Sequence, residues 1–594
     1  MKPLAPALMI AAAFIAMLVW TWRAWPDPLI DFGRELYVAW RLAAGDVLYR
    51  DAAHFLGPLS PQLNALWFRL FGSGLLTLAL ANVALAALFT ALLYRLLRRV
   101  ADPFAAAAAC IVFVKLLAFG QYVPAGNYNF ACPYTHEAVH GLILATTALW
   151  TFARYLERRR LIDLAATGVL TGLTLLTRAE PFVALTAALF VGFLADRSRT
   201  PDSSPGAFSI RAAALVGGAL APLIASLAIF GLQMEGSAAL RGTFGAVVSS
   251  LGSDVTSLPF FRDSMGVDQP MRRVETVVQW SAVWAAVFLA ASLAAAMSRG
   301  AKWRRAPIVC AGFVMPAALL AWYAGVADVP WLDMWRPLPI AMAVIIAAAW
   351  WASRRGDGDA DAGRRRVLAL TLAVFALVLL GKIILKARVH HYGFTLAAPS
   401  VALVVVAMLD WIPAGLSRRG LNGPIFRAAA LGVLVVCVAG HLRITHFWLE
   451  HKTVTVGEGR DAFRSDPRGR AVLDALVLID QHVGKNQTLA VLPEGAMWNY
   501  LARRSSSTPY VHFMPTELAI YGEDRLLAAF ETAPPDVVLL VHKDTSEFGY
   551  RFFGRDYARR LGAWITERYR PVALLGAPPL RDERFGMMLM RRAS

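Results

Sequence analysis

The chain has 594 residues, of which 57% are hydrophobic and 17% charged, with a formal net charge of +18. This composition excludes an ordinary soluble globular protein, because apolar runs of 18 or more residues recur as they do in bilayer-spanning helices. Nor does the positive charge signal nucleic acid: Arg clusters in short turns between apolar segments, the pattern of loops held on the cytoplasmic side.

The N-terminal stretch MKPLAPALMIAAAFIAMLVWTWRAW is too long in its apolar part for a signal peptide. It carries aromatics where a small-residue cleavage site would stand, and so reads as an uncleaved first helix. Apolar runs then predict helices near 4–24, 73–94, 104–120, 137–153, 161–177, 180–195, 212–232, 277–297, 306–325, 337–352, 367–386, 394–412 and 426–446, thirteen in all. With a cytoplasmic N-terminus, alternate loops such as YRLLRRVADP, RYLERRRLID and SRGAKWRRAP carry three or more basic residues each. The intervening loop GQYVPAGNYNFACPYTHE carries none. This orientation sends the long loops 25–72 and 233–276, and the C-terminus, to the outer face. Cys110, Cys310 and Cys437 fall in apolar runs and Cys132 in a loop, so no disulfide framework is expected.

Residues 1–450 are therefore read as a polytopic α-helical membrane module, and residues 451–594 as a soluble extracytoplasmic α/β domain. In the latter, a helix precedes the short strand TLAVL, PPDVVLLVHK is a second buried strand, and RRLGAWITERYRPVALLG with FGMMLMRR predicts a helix and closing strands.

Charge gathers just after the first helix, in PLIDFGRELYVAWRLAAGDVLYRD. Asp31 and Glu35 are four apart and share a face if the segment is helical, with Arg34 beside them. Beyond them, Leu63, Leu66, Trp67 and Leu70 predict a helix lying in the membrane interface. A carboxylate there suits deprotonation of a water-side hydroxyl while a second reactant stays in lipid. A transporter would instead place its charges near the bilayer midplane.

The DFGRE motif after helix 1, the long first loop with GPLSP and the polytopic body resemble the GT-C glycosyltransferases. The nearest type is the dolichyl-phosphate-mannose protein mannosyltransferase (glycosyltransferase family 39) and aminoarabinose transferase. The region LPEGAMWNYLARRSSSTPYVHFMPTE followed by PPDVVLLVHKD is similar to the C-terminal part of bacterial members. That resemblance implies a polyprenyl-phosphate-linked sugar donor at a bacterial inner membrane. It also implies a glycan, lipid or protein acceptor, inversion at the sugar, and Asp31 as general base. Many relatives have adjacent Asp-Glu in this loop, whereas Phe32 and Gly33 follow Asp31 here, so Glu35 stands as the alternative base.

Charge builds on the departing phosphate, which calls for fixed cations. The outer-face candidates are Arg178, Arg336 and the group Lys382, Lys386, Arg388, His390 and His391, although Lys and Arg at helix ends also simply reach for head groups. Tyr134, His136, Glu137 and His140 are candidates for substrate binding. His136-Glu-Ala-Val-His140 also spells HExxH, which keeps a membrane metalloprotease as a minor alternative beside a flippase or transporter of lipid-linked glycans. No obligatory metal or other cofactor is expected, though a divalent cation is compatible with these residues. Near the C-terminus, Glu494, Trp498 and Tyr500 stand where a sugar would stack or hydrogen-bond, or else pack a β-α turn.

Overall fold

The computed structural model describes residues 4–198, 205–245, 247, 254–298, 329–354 and 359–593. Among these, eight helices are long and apolar enough to cross a membrane. They are Leu75–Leu97, Ala179–Arg197, Phe208–Gly231, Pro259–Met297, Trp331–Ala352, Ala360–Lys386, Gly393–Arg418 and Gly423–Glu450. Shorter apolar helices span Ala5–Trp20, Pro103–Ala118 and Leu161–Leu175. The helix His136–Arg158 is long enough to cross but more polar. The expected helix 306–325 lies outside the described residues.

The first long loop is two helices, Phe32–Ala44 and Leu59–Phe71. The second buries Ser60, Pro61, Asn64, Ala65 and Phe68 and exposes Leu66, Leu70 and Phe71. An exposed apolar stripe on an amphipathic helix is what an interfacial position requires, because that stripe faces the acyl chains. The loop 233–276 is likewise partly helical, with Gly236–Thr243, Pro259–Met265 and the start of the long helix Pro270–Met297.

The C-terminal residues form a hairpin, β1 (Val454–Val456) with β2 (Phe463–Ser465), and a four-stranded sheet of β3 (Leu489–Leu492), β4 (Val537–Val541), β5 (Tyr569–Gly576) and β6 (Gly586–Arg592). The sheet order is β3-β4-β6-β5. Strands β3 and β4 are parallel, in register from Leu489↔Val537 to Leu492↔Leu540, while β6 runs antiparallel to both β4 and β5. Both parallel strands are apolar runs with one face after the other buried, as internal strands must be. A parallel pair needs a long crossover. Here it carries the helices Ala496–Ala502, Pro515–Tyr521 and Glu523–Thr532, and its first part packs onto the membrane module.

That docking is polar as well as apolar. Arg468 reaches the buried Asp27 at 2.7 Å, the Ser506 amide donates to Tyr37 Oη at 2.8 Å, and the Leu75 amide donates to Asp461 at 2.8 Å. The closest approach is backbone to backbone. A Cβ on Gly33 would stand 2.3 Å from the Met497 nitrogen, so only glycine lets these helix starts meet.

Candidate active site

A cavity of about 740 Å³ opens at this seam. Its walls come from the first loop (Asp31, Arg34), the loop before the helix His136–Arg158 (Tyr128, Tyr134), the start of the helix Ala179–Arg197, the segment 378–392, and the crossover of the C-terminal sheet. Loops assigned from charge to one face of the membrane thus converge on one chamber. The volume falls in the usual range of roughly 300–1,000 Å³ for small-molecule sites.

Asp31 sits at the first helix's far side in an uncommon backbone state, with φ +53° and ψ −54°. The Phe32 amide donates to the Ile30 carbonyl at 2.6 Å across it, which makes Asp31 the centre of a γ-turn of the rare, strained kind. A side-chain-bearing residue held there costs on the order of 1–3 kcal/mol, and such strain gathers at functional sites. The turn presents the Asp31 side chain to the cavity with no capping hydrogen bond to its own helix. Burial pushes its carboxyl up to about 7 against the pull of Arg34.

In the same chamber wall, Arg178 and Lys382 share one carboxylate. Arg178 Nε donates to Glu180 at 2.8 Å and Lys382 Nζ donates to the other Glu180 oxygen at 2.7 Å. Arg178 also donates to Tyr134 Oη at 2.8 Å, and Lys382 lies 5.1 Å from the centre of the Tyr392 ring. One carboxylate against two cations leaves a net positive end. It is rimmed by Tyr128, Tyr134, Tyr392 and His391, whose rings meet pairwise, tilted or edge-on, with centres 4.2–5.4 Å apart. Val183, Val378 and Leu379 extend this end as an apolar wall.

The third wall comes from the sheet. Glu494 follows β3 and Lys543 follows β4, at the carboxyl ends of adjacent parallel strands, where open α/β sheets place ligands. They pair at 3.1 Å. His512 and Glu517 lie on the crossover between them, both more than nine-tenths buried. Burial pushes Glu517 up to about 7 despite Arg34, whose Nη1 is 3.8 Å away, and leaves its Oε2 without a hydrogen bond.

Of the residues singled out in the sequence, Asp31, Arg178, Lys382, His391, Tyr134 and Glu494 line the cavity. Others do not, for definite reasons. Glu35 points behind the chamber, where its Oε2 accepts from His136 Nδ1 at 2.7 Å. His136 Nε2 accepts in turn from Asn82 at 2.9 Å. Glu137 is buried against His54 at 3.0 Å and Thr135, and His140 Nδ1 meets Ser60 Oγ at 3.0 Å. HExxH is therefore a structural network: both nitrogens of His136 are engaged, and its two histidines lean on different partners.

The cationic group also divides. Lys386 pairs with Asp263 at 2.6 Å, Arg336 with Asp333 at 2.5 Å and the Ala387 carbonyl at 3.3 Å, and Arg388 with His391 Nδ1 at 3.1 Å. These three and His390 stay outside the cavity wall; of the two lysines on the short 3-10 turn Leu380–Lys386, only Lys382 reaches it. Trp498 and Tyr500 are fully buried, donating to the Val472 carbonyl and to Asp461. They pack the crossover and do not face the chamber.

His512, Glu517 and Lys543 were not singled out by residue type. Their one sequence signal is membership of the two C-terminal stretches that carry the family resemblance, YVHFMPTE and VHKD.

Residues 56–232 match a family model described as dolichyl-phosphate-mannose-protein mannosyltransferase. No curated protein matches the chain by sequence. Among solved structures, the apo oligosaccharyltransferase of Archaeoglobus fulgidus superposes with a TM-score of 0.50 at 12% identity, over 97% of this chain and 74% of that one. ArnT of Cupriavidus metallidurans bound to undecaprenyl phosphate superposes with a TM-score of 0.44 at 14% identity, over 98% of this chain and 97% of that one. The chain shares the fold of the Archaeoglobus fulgidus oligosaccharyltransferase.

Proposed function

We propose that the chain is a membrane glycosyltransferase that moves a sugar from a polyprenyl-phosphate donor to an acceptor hydroxyl. The observation that carries this reading is one cavity lined both by a strained Asp31, which has no ion pair among the described residues, and by the Arg178–Lys382 cluster. The family model supports the donor class by its description and spans Tyr134, Arg178 and Glu180, whereas Asp31 lies ahead of it.

In this reading the acceptor O–H gives its proton to the Asp31 carboxylate as its oxygen bonds to the anomeric carbon. The bond from that carbon to the phosphate oxygen breaks on the opposite side, inverting the centre. Its electron pair leaves with the polyprenyl phosphate. Arg178 and Lys382 face the charge that grows there, and in a half-enclosed site fixed donors act more strongly than they would in water. The apolar wall of Val183, Val378 and Leu379 suits the first isoprene units, and the tyrosine rim suits sugar faces. The chamber opens on the outer face of a bacterial inner membrane, with the C-terminal sheet in the periplasm.

The test is transfer from undecaprenyl-phosphate sugars in proteoliposomes, read by mass spectrometry of acceptor lipids and glycans. Loss of a glycan on gene deletion, restored by wild type and not by Asp31→Asn, is the expected result. Normal surface glycans in the deletion strain would remove the proposal.

A further inference from the structure

We infer that Asn127 is a positioning residue: its side chain holds the turn that aims Asp31 into the cavity, and its backbone ties that turn to Tyr134 and Arg178. The turn at Asp31 is strained, so surrounding contacts must over-determine it. Ile30, the residue before it, is gripped at both its N–H and its C=O. Asp27 Oδ1 accepts from the Leu29 and Ile30 amides, each at 2.9 Å. From the other side, Asn127 Nδ2 donates at 3.2 Å to the Ile30 carbonyl, the same oxygen that closes the γ-turn with the Phe32 amide.

The two grips share one support. Asp27 is fully buried, and its Oδ2 accepts from Arg468 of the C-terminal domain at 2.7 Å and from the Gly126 amide at 3.4 Å. Gly126 precedes Asn127, and a Cβ on it would stand 2.9 Å from the Pro26 carbonyl oxygen, so this loop lies flat against the turn. Asn129 stiffens the loop. Its Oδ1 accepts from the Ala131 and Cys132 amides at 2.9 and 2.8 Å, and its Nδ2 donates to the Trp25 and Gly126 carbonyls at 3.0 and 2.6 Å. The Asn127 carbonyl in turn accepts from the Tyr134 amide at 2.7 Å, and Tyr134 Oη accepts from Arg178. Asn127, itself fully buried, thus links the two chemical ends of the chamber.

The position calls for an amide. Asn127→Asp sets an oxygen against the Ile30 carbonyl, and Asn127→Leu offers it no donor. Neither touches the backbone bond to Tyr134, so the side chain governs Asp31 and leaves the cationic end in place. The charged groups that face Asp31, namely Arg34, Glu35, Glu494 and Glu517, also stay. Once the turn relaxes, water reaches the carboxylate, and its pKa falls from about 7 toward the ordinary value of about 4. That this carboxylate is the base rests on the glycosyl-transfer reading; the hold on its turn does not.

The experiment labels the full chain in detergent with dicyclohexylcarbodiimide, which adds to protonated carboxyls, over a range of pH, and reads Asp31 by peptide mass spectrometry. A midpoint of about 7 is expected in wild type, and one lower by about a unit or more in Asn127→Leu. Undecaprenyl phosphate affinity, measured on the same samples, stays at the wild-type value. An unmoved midpoint overturns the proposal, and so does lipid binding that collapses in a folded variant, the mark of a merely structural residue. Asn127→Ala replaces Asn127→Leu if the latter fails to fold, and a wild-type midpoint in the ordinary carboxylate range overturns the proposal without any variant. In transfer assays, turnover falls by about 10–100-fold and the acid limb of its pH profile moves down with the midpoint. Transfer with an unmoved midpoint removes the positioning role alone. A moved midpoint in a chain that transfers no sugar upholds the hold on Asp31 and counts against the transferase reading.

Discussion

Gly33 and Met497 touch backbone to backbone: a Cβ on Gly33 would lie 2.3 Å from the Met497 nitrogen and 2.6 Å from its Cα. The atoms in the way are main chain and cannot rotate aside. Gly33→Ala should therefore push the crossover away from the first loop and separate Asp31 from Glu494. We expect a loss of about 1–3 kcal/mol in stability, the usual scale of overpacking, together with loss of transfer activity. Thermal unfolding in detergent checks the first, and an unchanged melting temperature would contradict the close approach.

Asp31 and Glu35 are four residues apart but face different surroundings. Asp31→Asn removes the proton acceptor and should lower turnover by about 100-fold or more, the scale of general base catalysis. Glu35→Gln keeps an acceptor for His136 and lies outside the chamber, so its effect should stay under about 10-fold. Equal losses in the two variants, measured as initial rates with lipid-linked sugar, would place the base wrongly.

Arg178 and Lys386 test the division of the cationic group. Arg178→Gln strips a charge from the chamber and should weaken donor binding by about 10-fold or more, since charge-assisted bonds are worth about 1.5–3 kcal/mol each. Lys386→Gln breaks a pair with a half-exposed Asp263, a contact of little net value, and should change donor affinity less than about 3-fold. Undecaprenyl phosphate binding to the two purified variants measures both.

His140 separates the sequence motif from the folded site. Its Nδ1 meets Ser60 and its Nε2 has no hydrogen bond among the described residues. His140→Asn should change undecaprenyl phosphate affinity less than about 3-fold, because the ring belongs to the network behind the chamber. A fall in affinity equal to that of Arg178→Gln would bring the HExxH helix into the donor site.

Much of the architecture was readable in one dimension. The long apolar runs, the basic turns between them and the two apolar strands 489–492 and 537–541 each carry their own local signal, because burial in lipid or between strands demands uninterrupted apolar side chains. Asp31 was singled out by its place after helix 1 in a stretch that resembles a known family, a signal that Asp27 and Glu35 nearly share although both serve as structural partners.

The neighbours of Asp31 were not readable. HExxH spacing describes one face of one helix, and only the fold shows that face turned to Glu35, Asn82 and Ser60. Likewise, five cationic or imidazole side chains within ten residues looked equivalent, yet Lys382 and His391 line the cavity and Lys386, Arg388 and His390 do not. His512 and Glu517 stand some 480 residues from Asp31, and no periodicity links positions that far apart.

By itself the sequence determined the long apolar helices and the strands of the terminal sheet, since each follows from the solvent that a short segment must face. Tertiary structure decided which charges share the cavity. Convergence depends on where whole elements pack, and a single side-chain-free contact such as Gly33 on Met497 sets it without leaving any pattern along the chain.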